Sequence, residues 1–136
     1  KKNKFLKKEL IKPTKIYVNE VLKLLDKNLI NGCANITGGG LADNIKRVIP
    51  DNFSAEINLE KIKTSKIFKW LHENGISDKE MLKTFNCGVG FCLIINPEKL
   101  NKIKRHVANN FKPYVIGRIT KNFKDKVKLN GSLNWI

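Results

Sequence analysis

Two glycine clusters and the asparagines beside them are the residues here whose types and spacing could hold a small polar molecule. The first runs Asn35-Ile36-Thr37-Gly38-Gly39-Gly40, with Asn44 four residues on. Glycine has no Cβ and tolerates positive φ, so such a stretch can bend sharply and let a ligand touch bare backbone. A helix starting at the bend would aim unpaired N–H groups into it, which suits phosphate. The second cluster, Phe85-Asn86-Cys87-Gly88-Val89-Gly90, precedes the most apolar run of the chain. Glycines at a strand entrance mark a bulge or a close backbone approach. Asn35, Asn44 and Asn86 would add neutral donors and acceptors to one cleft. Neither cluster has the Gly-Lys-Ser/Thr ending of a P-loop or the spacing of a dinucleotide fingerprint. A tight turn with no ligand reads the same way locally.

Other chemistry is sparse. No Ser/His/Asp set, Cys/His pair or paired carboxylates accompany the glycines. With 12 acidic residues and no DxD-type cluster, a self-contained Mg²⁺-nucleotide site is not expected. Cys33, Cys87 and Cys92 form no C-x-x-C pair and read as small buried thiols in a reducing compartment. His72 and His106 lie far apart on expected helix surfaces, so no metal site is expected. No catalytic residue can be assigned.

The elements that must position these turns follow from periodicity and punctuation. Residues 1–12 are a basic lead-in, and Pro13 opens extended chain. Thr14–Val18 is β-branched and aromatic, which predicts a strand. Asn19 is a good cap for a helix over residues 20–28, with Val21, Leu22, Leu25 and Leu29 as its buried stripe. A strand over 33–37 leads into the first glycine turn and then a helix to Ile49. Phe53, Ala55, Ile57 and Leu59 alternate with polar residues, the mark of a half-buried strand. Ser65 starts a helix over 66–73, stopped by Asn74-Gly75, and Ser77-Asp78-Lys79-Glu80 is a capping box for another to Thr84. Residues 90–96 read as a strand covered on both faces, and Pro97 as the start of a helix to Asn110. Strands are expected at 114–120 and in 127–133, with Asn130-Gly131 as a hairpin-type turn. Helices and strands alternate without the regular units of a doubly wound sheet. The expectation is an α+β fold: one domain over residues 13–136, with a mixed β-sheet and helices packed mainly on one face.

A net charge of +15 raises the question of a polyanion partner. Yet 24 of the 27 basic residues are Lys, a poor balance for base readout, which favours the bidentate guanidinium. The 17 Asn and 16 Ile against four Ala are the skew an AT-rich genome imposes through its codons. Solvated surface is the reading adopted, and specific nucleic-acid binding is not expected. The longest apolar run, Phe91 to Ile95, is far short of the roughly 20 residues that span a bilayer. No apolar stretch follows the basic N-terminus, so a soluble, cytoplasmic protein is expected, without membrane partners.

Six blocks, in order from Pro13 to Thr120, resemble aminoimidazole ribonucleotide synthetase, the phosphoribosylformylglycinamidine cyclo-ligase. They are Thr14–Val18, Ala34–Gly40, Asn44–Pro50, Ile67–Leu71, Met81–Gly90 and Val115–Arg118. The resemblance is to the C-terminal half of that family, including its fold. It implies an ATP-dependent enzyme that closes the imidazole ring of formylglycinamidine ribonucleotide, releasing ADP and phosphate in purine biosynthesis. ATP would activate the formyl amide oxygen, the amidine nitrogen would attack, and phosphate would leave. ATP and Mg²⁺ would be held mainly by the N-terminal half, which also carries most of the homodimer interface. That half would be this chain's partner, none of these cofactors would be held here, and the 136 residues alone would be inactive.

On the same resemblance, Asn35, Thr37, Gly38, Gly39, Gly40 and Asn44 would hold the phosphate or ribose of the substrate. Asn86, Gly88 and Gly90 would shape the wall beside them. The family usually carries His where this chain has Asn35. Asn can donate and accept hydrogen bonds but cannot shuttle a proton near neutral pH. Orientation of substrate is therefore the role expected at this position. Selenophosphate synthetase and other two-half ATP-dependent families are alternatives, as is a non-catalytic lysine-rich module that binds polyanions.

Overall fold

The computed structural model describes residues 2–121 and 124–135. Lys1, Asn122, Phe123 and Ile136, at the edges of the lead-in and within the expected C-terminal region, lie outside the described residues. In chain order the elements are α1 (Lys2–Leu10), α2 (Val18–Asp26), β1 (Gly32–Asn35), α3 (Gly40–Lys46), β2 (Phe53–Asn58), α4 (Lys66–Glu73), α5 (Asp78–Thr84), β3 (Phe91–Ile94), α6 (Leu100–His106), β4 (Gly117–Lys121) and β5 (Val127–Asn130). Short 3-10 turns at Leu59–Lys61, Pro97–Lys99 and Asn109–Phe111 complete the order. The architecture is α+β, as expected.

The strands divide between two sheets. β1 and β3 pair antiparallel, with Ala34 opposite Cys92 and Asn35 opposite Phe91. The second sheet has the order β4-β2-β5 and is mixed, β4 antiparallel and β5 parallel to the central β2. Period-two alternation in β2 places Ala55, Ile57 and Leu59 in the core, each under 5% exposed. Around them lies the main core, which includes Ile36, Leu41, Ile45, Ile62 and Met81. A second cluster of Leu24, Leu29, Ile30, Ile103 and Val107 joins α2 to α6.

Several local expectations are corrected. Thr14–Val18 forms no strand: the segment pairs with none of the described strands, and α2 already begins at Val18. β-propensity is decided by a partner strand, and here Tyr17 instead packs its ring on Phe91 and Phe111. Asn19 accordingly sits inside α2 rather than capping it. The buried stripe of α2 is also shifted. Leu24 and Leu29 are buried, while Leu22 and Leu25 are 52% and 46% exposed. Residues 2–10 of the basic lead-in are helical. β3 is half-buried rather than covered on both faces, each of its four residues being partly exposed.

Asn130-Gly131 makes no hairpin. β5 is the last strand of the described residues and runs parallel to its neighbour, so no tight turn joins them. Gly131, at φ 75°, turns the tail toward α4 and α5. There Leu133 enters the core and Thr64 Oγ1 donates to Asn134 O at 2.6 Å. Trp135 stacks on His72 at 4.8 Å between ring centroids and donates from Nε1 to Asp78 Oδ1 at 3.0 Å. The same carboxylate oxygen lies 3.1 Å from His72 Nδ1, so one acid fixes both rings.

Candidate substrate site at the glycine turns

The first glycine turn is a type II β-turn. Gly40 N donates to Thr37 O at 3.1 Å, and Gly39 stands at φ 92°, the left-handed geometry this turn demands at its third position. Gly40, the first residue of α3, follows at φ 65°, so the chain is left-handed at two successive residues as it enters the helix. The buried Asn44 locks the turn from below. Its Nδ2 donates to Gly40 O at 2.7 Å and lies 3.3 Å and 3.4 Å from Gly38 O and Thr37 O. An amide has two N–H groups, so the longer pair is shared.

The second turn is built the same way from a different residue. Asn86 Oδ1 accepts from Gly88 N at 3.0 Å and Asn86 O accepts from Val89 N at 2.9 Å. Cys87 adopts φ 50°, with its side chain buried and its Sγ 3.4 Å from Met81 O. Burial, and secondarily the charge of Asp78, push that thiol up to about 11. Cys92, next to Phe91 on β3, is pushed up to about 12 by burial alone.

The fold brings the two turns into one junction. Ile36 N donates to Gly90 O at 3.0 Å, which carries the β1–β3 ladder one step beyond Asn35 and Phe91. Gly40 rests against the end of α5, where a Cβ would collide with Leu82 O. At Gly88 it would collide with Lys63 O, and at Gly90 with the Tyr17 hydroxyl. Three of the five expected glycines therefore lack a side chain because protein fills the space. Gly38 is different: a Cβ there meets nothing within 4 Å.

What remains open to a ligand is narrower than the nine residues expected. Asn35, Thr37, Gly38 and Gly88 are exposed, Gly39, Asn86 and Gly90 are partly so, and Gly40 and Asn44 are buried. Among the described residues the N–H groups of Gly38 and Gly39 and the Asn35 carboxamide make no hydrogen bond. Asn44 and Asn86 have turned their amides onto the backbone and shape the surface from beneath. None of the nine residues lines either of two open grooves found elsewhere. One, of about 610 Å³, lies between Glu9, Lys12 and residues 60–66, and the other, of about 200 Å³, lies beside Ser54 and Lys128.

One candidate escaped the sequence reading. Asp43 is exposed, and its Oδ2 lies 3.2 Å from where a Gly39 Cβ would be. The turn thus offers donors at Gly38 and Gly39 and an acceptor at Asp43. The signal was available as an acidic residue one helical turn past the glycines, on the face Gly39 presents.

Donors for a metal are not gathered here. Among the described residues no group of three or more His, Cys, Asp or Glu is placed to hold an ion. Several carboxylates are engaged with cations instead: Glu56 with Arg118 at 2.7 Å, Asp51 with Lys126 at 2.6 Å, and Glu20 with Lys23 at 3.2 Å. This set does not fit a Mg²⁺-ATP centre. No helix among the described residues is long and apolar enough to cross a membrane.

The chain belongs to the family described as AIR synthase related protein, C-terminal domain, whose model matches residues 1–130. The phosphoribosylformylglycinamidine cyclo-ligase of Streptococcus agalactiae is 42% identical over 125 residues, covering 91% of this chain and 36% of that protein. That of Streptococcus pyogenes gives the same figures. The bifunctional purine biosynthetic protein purD of Dictyostelium discoideum is 42% identical over 132 residues, 92% of this chain and 16% of that protein. The chain thus spans 36% of the length of the cyclo-ligases it matches.

Proposed function

We propose that this chain is the C-terminal half of a phosphoribosylformylglycinamidine cyclo-ligase, converting formylglycinamidine ribonucleotide to aminoimidazole ribonucleotide with release of ADP and phosphate. The observation that carries the reading is the 42% identity, over 91% of the chain, to proteins of that name. The open glycine junction supports it, since a half-site needs a second wall.

In this reading the half supplies position. The N–H groups of Gly38 and Gly39, with the Thr37 hydroxyl, bind acceptor oxygens of the phosphoribosyl group. Asp43 accepts from an O–H or N–H of the substrate, and Asn35 orients what lies above β1. Asn44 and Asn86 hold both turns in the bound geometry beforehand, so little ordering is left to occur on binding. Such preorganisation is worth several kcal/mol of barrier without any acid or base from this chain. ATP and Mg²⁺ would be held by the N-terminal half in this reading.

The test is ADP release by the native-length gene product, with ATP and formylglycinamidine ribonucleotide supplied separately and together. Release that requires both supports the reading. A folded protein that releases no ADP in response to the ribonucleotide overturns it.

A further inference from the structure

Helix α2 carries more apolar surface than its own domain uses. At 100° per residue, Val18, Val21, Leu22, Leu24 and Leu25 span an arc of about 160°, well beyond the ~100° that one core contact requires. The second core cluster takes one edge of that arc, through Leu24 and Val21. Val18, Leu22 and Leu25, spaced four and three apart, form the other edge and are 59%, 52% and 46% exposed. The bare strip continues backward along the chain through Ile16, Ile11 and Leu10, each at least 72% exposed. Of the nine large hydrophobics exposed among the described residues, these six fall between residues 10 and 25. Scattered apolar side chains on a surface are ordinary, whereas their concentration in one short segment marks a contact.

We infer that this strip is the face on which the amino-terminal part of the longer polypeptide docks. The family is by description a C-terminal domain, and the matched cyclo-ligases have most of their length outside these residues. That remainder joins the domain through α1. The strip begins at the far end of α1, about 14 Å of helix from where that remainder would attach, so a domain tethered there reaches it. Tethering raises the effective concentration to about the millimolar range, so a modest contact suffices to hold two domains. Inter-domain faces of roughly 600–1,500 Å² are typical. The inference rests on the proposed function only in taking the chain as the C-terminal part of a longer protein.

The experiment uses the native-length protein. Leu22→Cys and Leu25→Cys, made one at a time, are alkylated and their rates compared with that of Lys128→Cys on β5. Docking predicts rates at positions 22 and 25 about ten-fold or more below the reference. Hydroxyl-radical labelling of the unsubstituted protein, comparing Leu22 and Leu25 with the exposed Val115, gives the same answer without relying on a variant that folds. Equal reactivity at the strip and the reference overturns the inference. So does protection that disappears on dilution, which would place a second copy on this face. ADP release from the same preparations reports the functional reading separately. A protected strip with no activity sinks the function alone, and a reactive strip in an active enzyme sinks the docking face alone.

Discussion

The glycine junction and the 10–25 strip are finished to different degrees. At the junction, Asn44 and Asn86 hold the turns through their side-chain amides, and the missing side chains of Gly40, Gly88 and Gly90 are replaced by Leu82 O, Lys63 O and the Tyr17 hydroxyl. Along the strip, apolar side chains stand in water with nothing on them. Both are faces of one domain that spans 36% of the length of the cyclo-ligases it matches. A surface that must hold a polar molecule can be completed inside one domain, because backbone and side-chain amides satisfy one another locally. A surface that must hold another domain cannot, because its hydrophobic energy is gained only on contact.

The comparison is broken most severely at Gly40. Gly40→Val places a Cβ on Leu82 O in a left-handed backbone, so two mechanisms of strain act together. The expected loss is about 3 kcal/mol or more, seen as a large fall in Tm or failure to fold. Gly38→Ala, where nothing lies within 4 Å, should leave Tm nearly unchanged. If the two variants melt alike, the division into protein-filled and open glycines is wrong.

Asn44→Ala comes next. It leaves Gly40 O and its neighbours without their buried donor, at a cost of about 1–3 kcal/mol, or a Tm lower by roughly 3–10 °C. The KM for the ribonucleotide should rise with it, since the turn loses its lock. A melting curve that does not move would mean water replaces the amide and the turn is not locked from below.

Asp43→Asn separates binding from folding. The carboxylate is exposed and makes no hydrogen bond among the described residues, so Tm should hold while KM rises about ten-fold, the loss of one charged hydrogen bond. An unchanged KM would remove Asp43 from the site. Asn35→His is expected to do less, shifting turnover by no more than about three-fold if this position only orients substrate. A large gain would make it an acid–base position.

How much of this was legible beforehand depends on what each pattern reports. β2 and α4 were readable because alternation and helix punctuation are local: Ala55, Ile57 and Leu59 face the core as expected, although Ser54, expected on the polar face, is buried as well, and Ser65 and Asn74 bracket a helix whatever surrounds it. Ser77 likewise caps α5, accepting from Glu80 N at 3.3 Å, although the Glu80 carboxylate takes the Thr84 hydroxyl rather than closing the box. Thr14–Val18 failed because a strand needs a partner that no local pattern names. The stripe of α2 failed because its apolar arc is wider than one contact, and periodicity cannot say which edge is covered by which domain. The glycines were found but not sorted. Absence of a side chain reads the same whether a ligand or Leu82 O fills the space.

The finest distinction between finished and unfinished surface is chemical. Cys87 lies inside the junction, its thiol held neutral up to about 11 by burial and by Asp78, against an ordinary value of 9.0. A group whose folded value is raised stabilises the fold fully below its unfolded value and loses that contribution as pH rises through the folded one. Stability should therefore be flat up to about pH 9 and decline between there and pH 11 as the unfolded thiol ionises first. Cys87→Ala should flatten part of that decline in a series of melts. At pH 8 the native thiol should resist alkylation over the time in which a cysteine placed at Lys128 reacts to completion. Rapid labelling of Cys87 would mean that the junction opens in solution and that its turns are shaped by the ligand rather than for it.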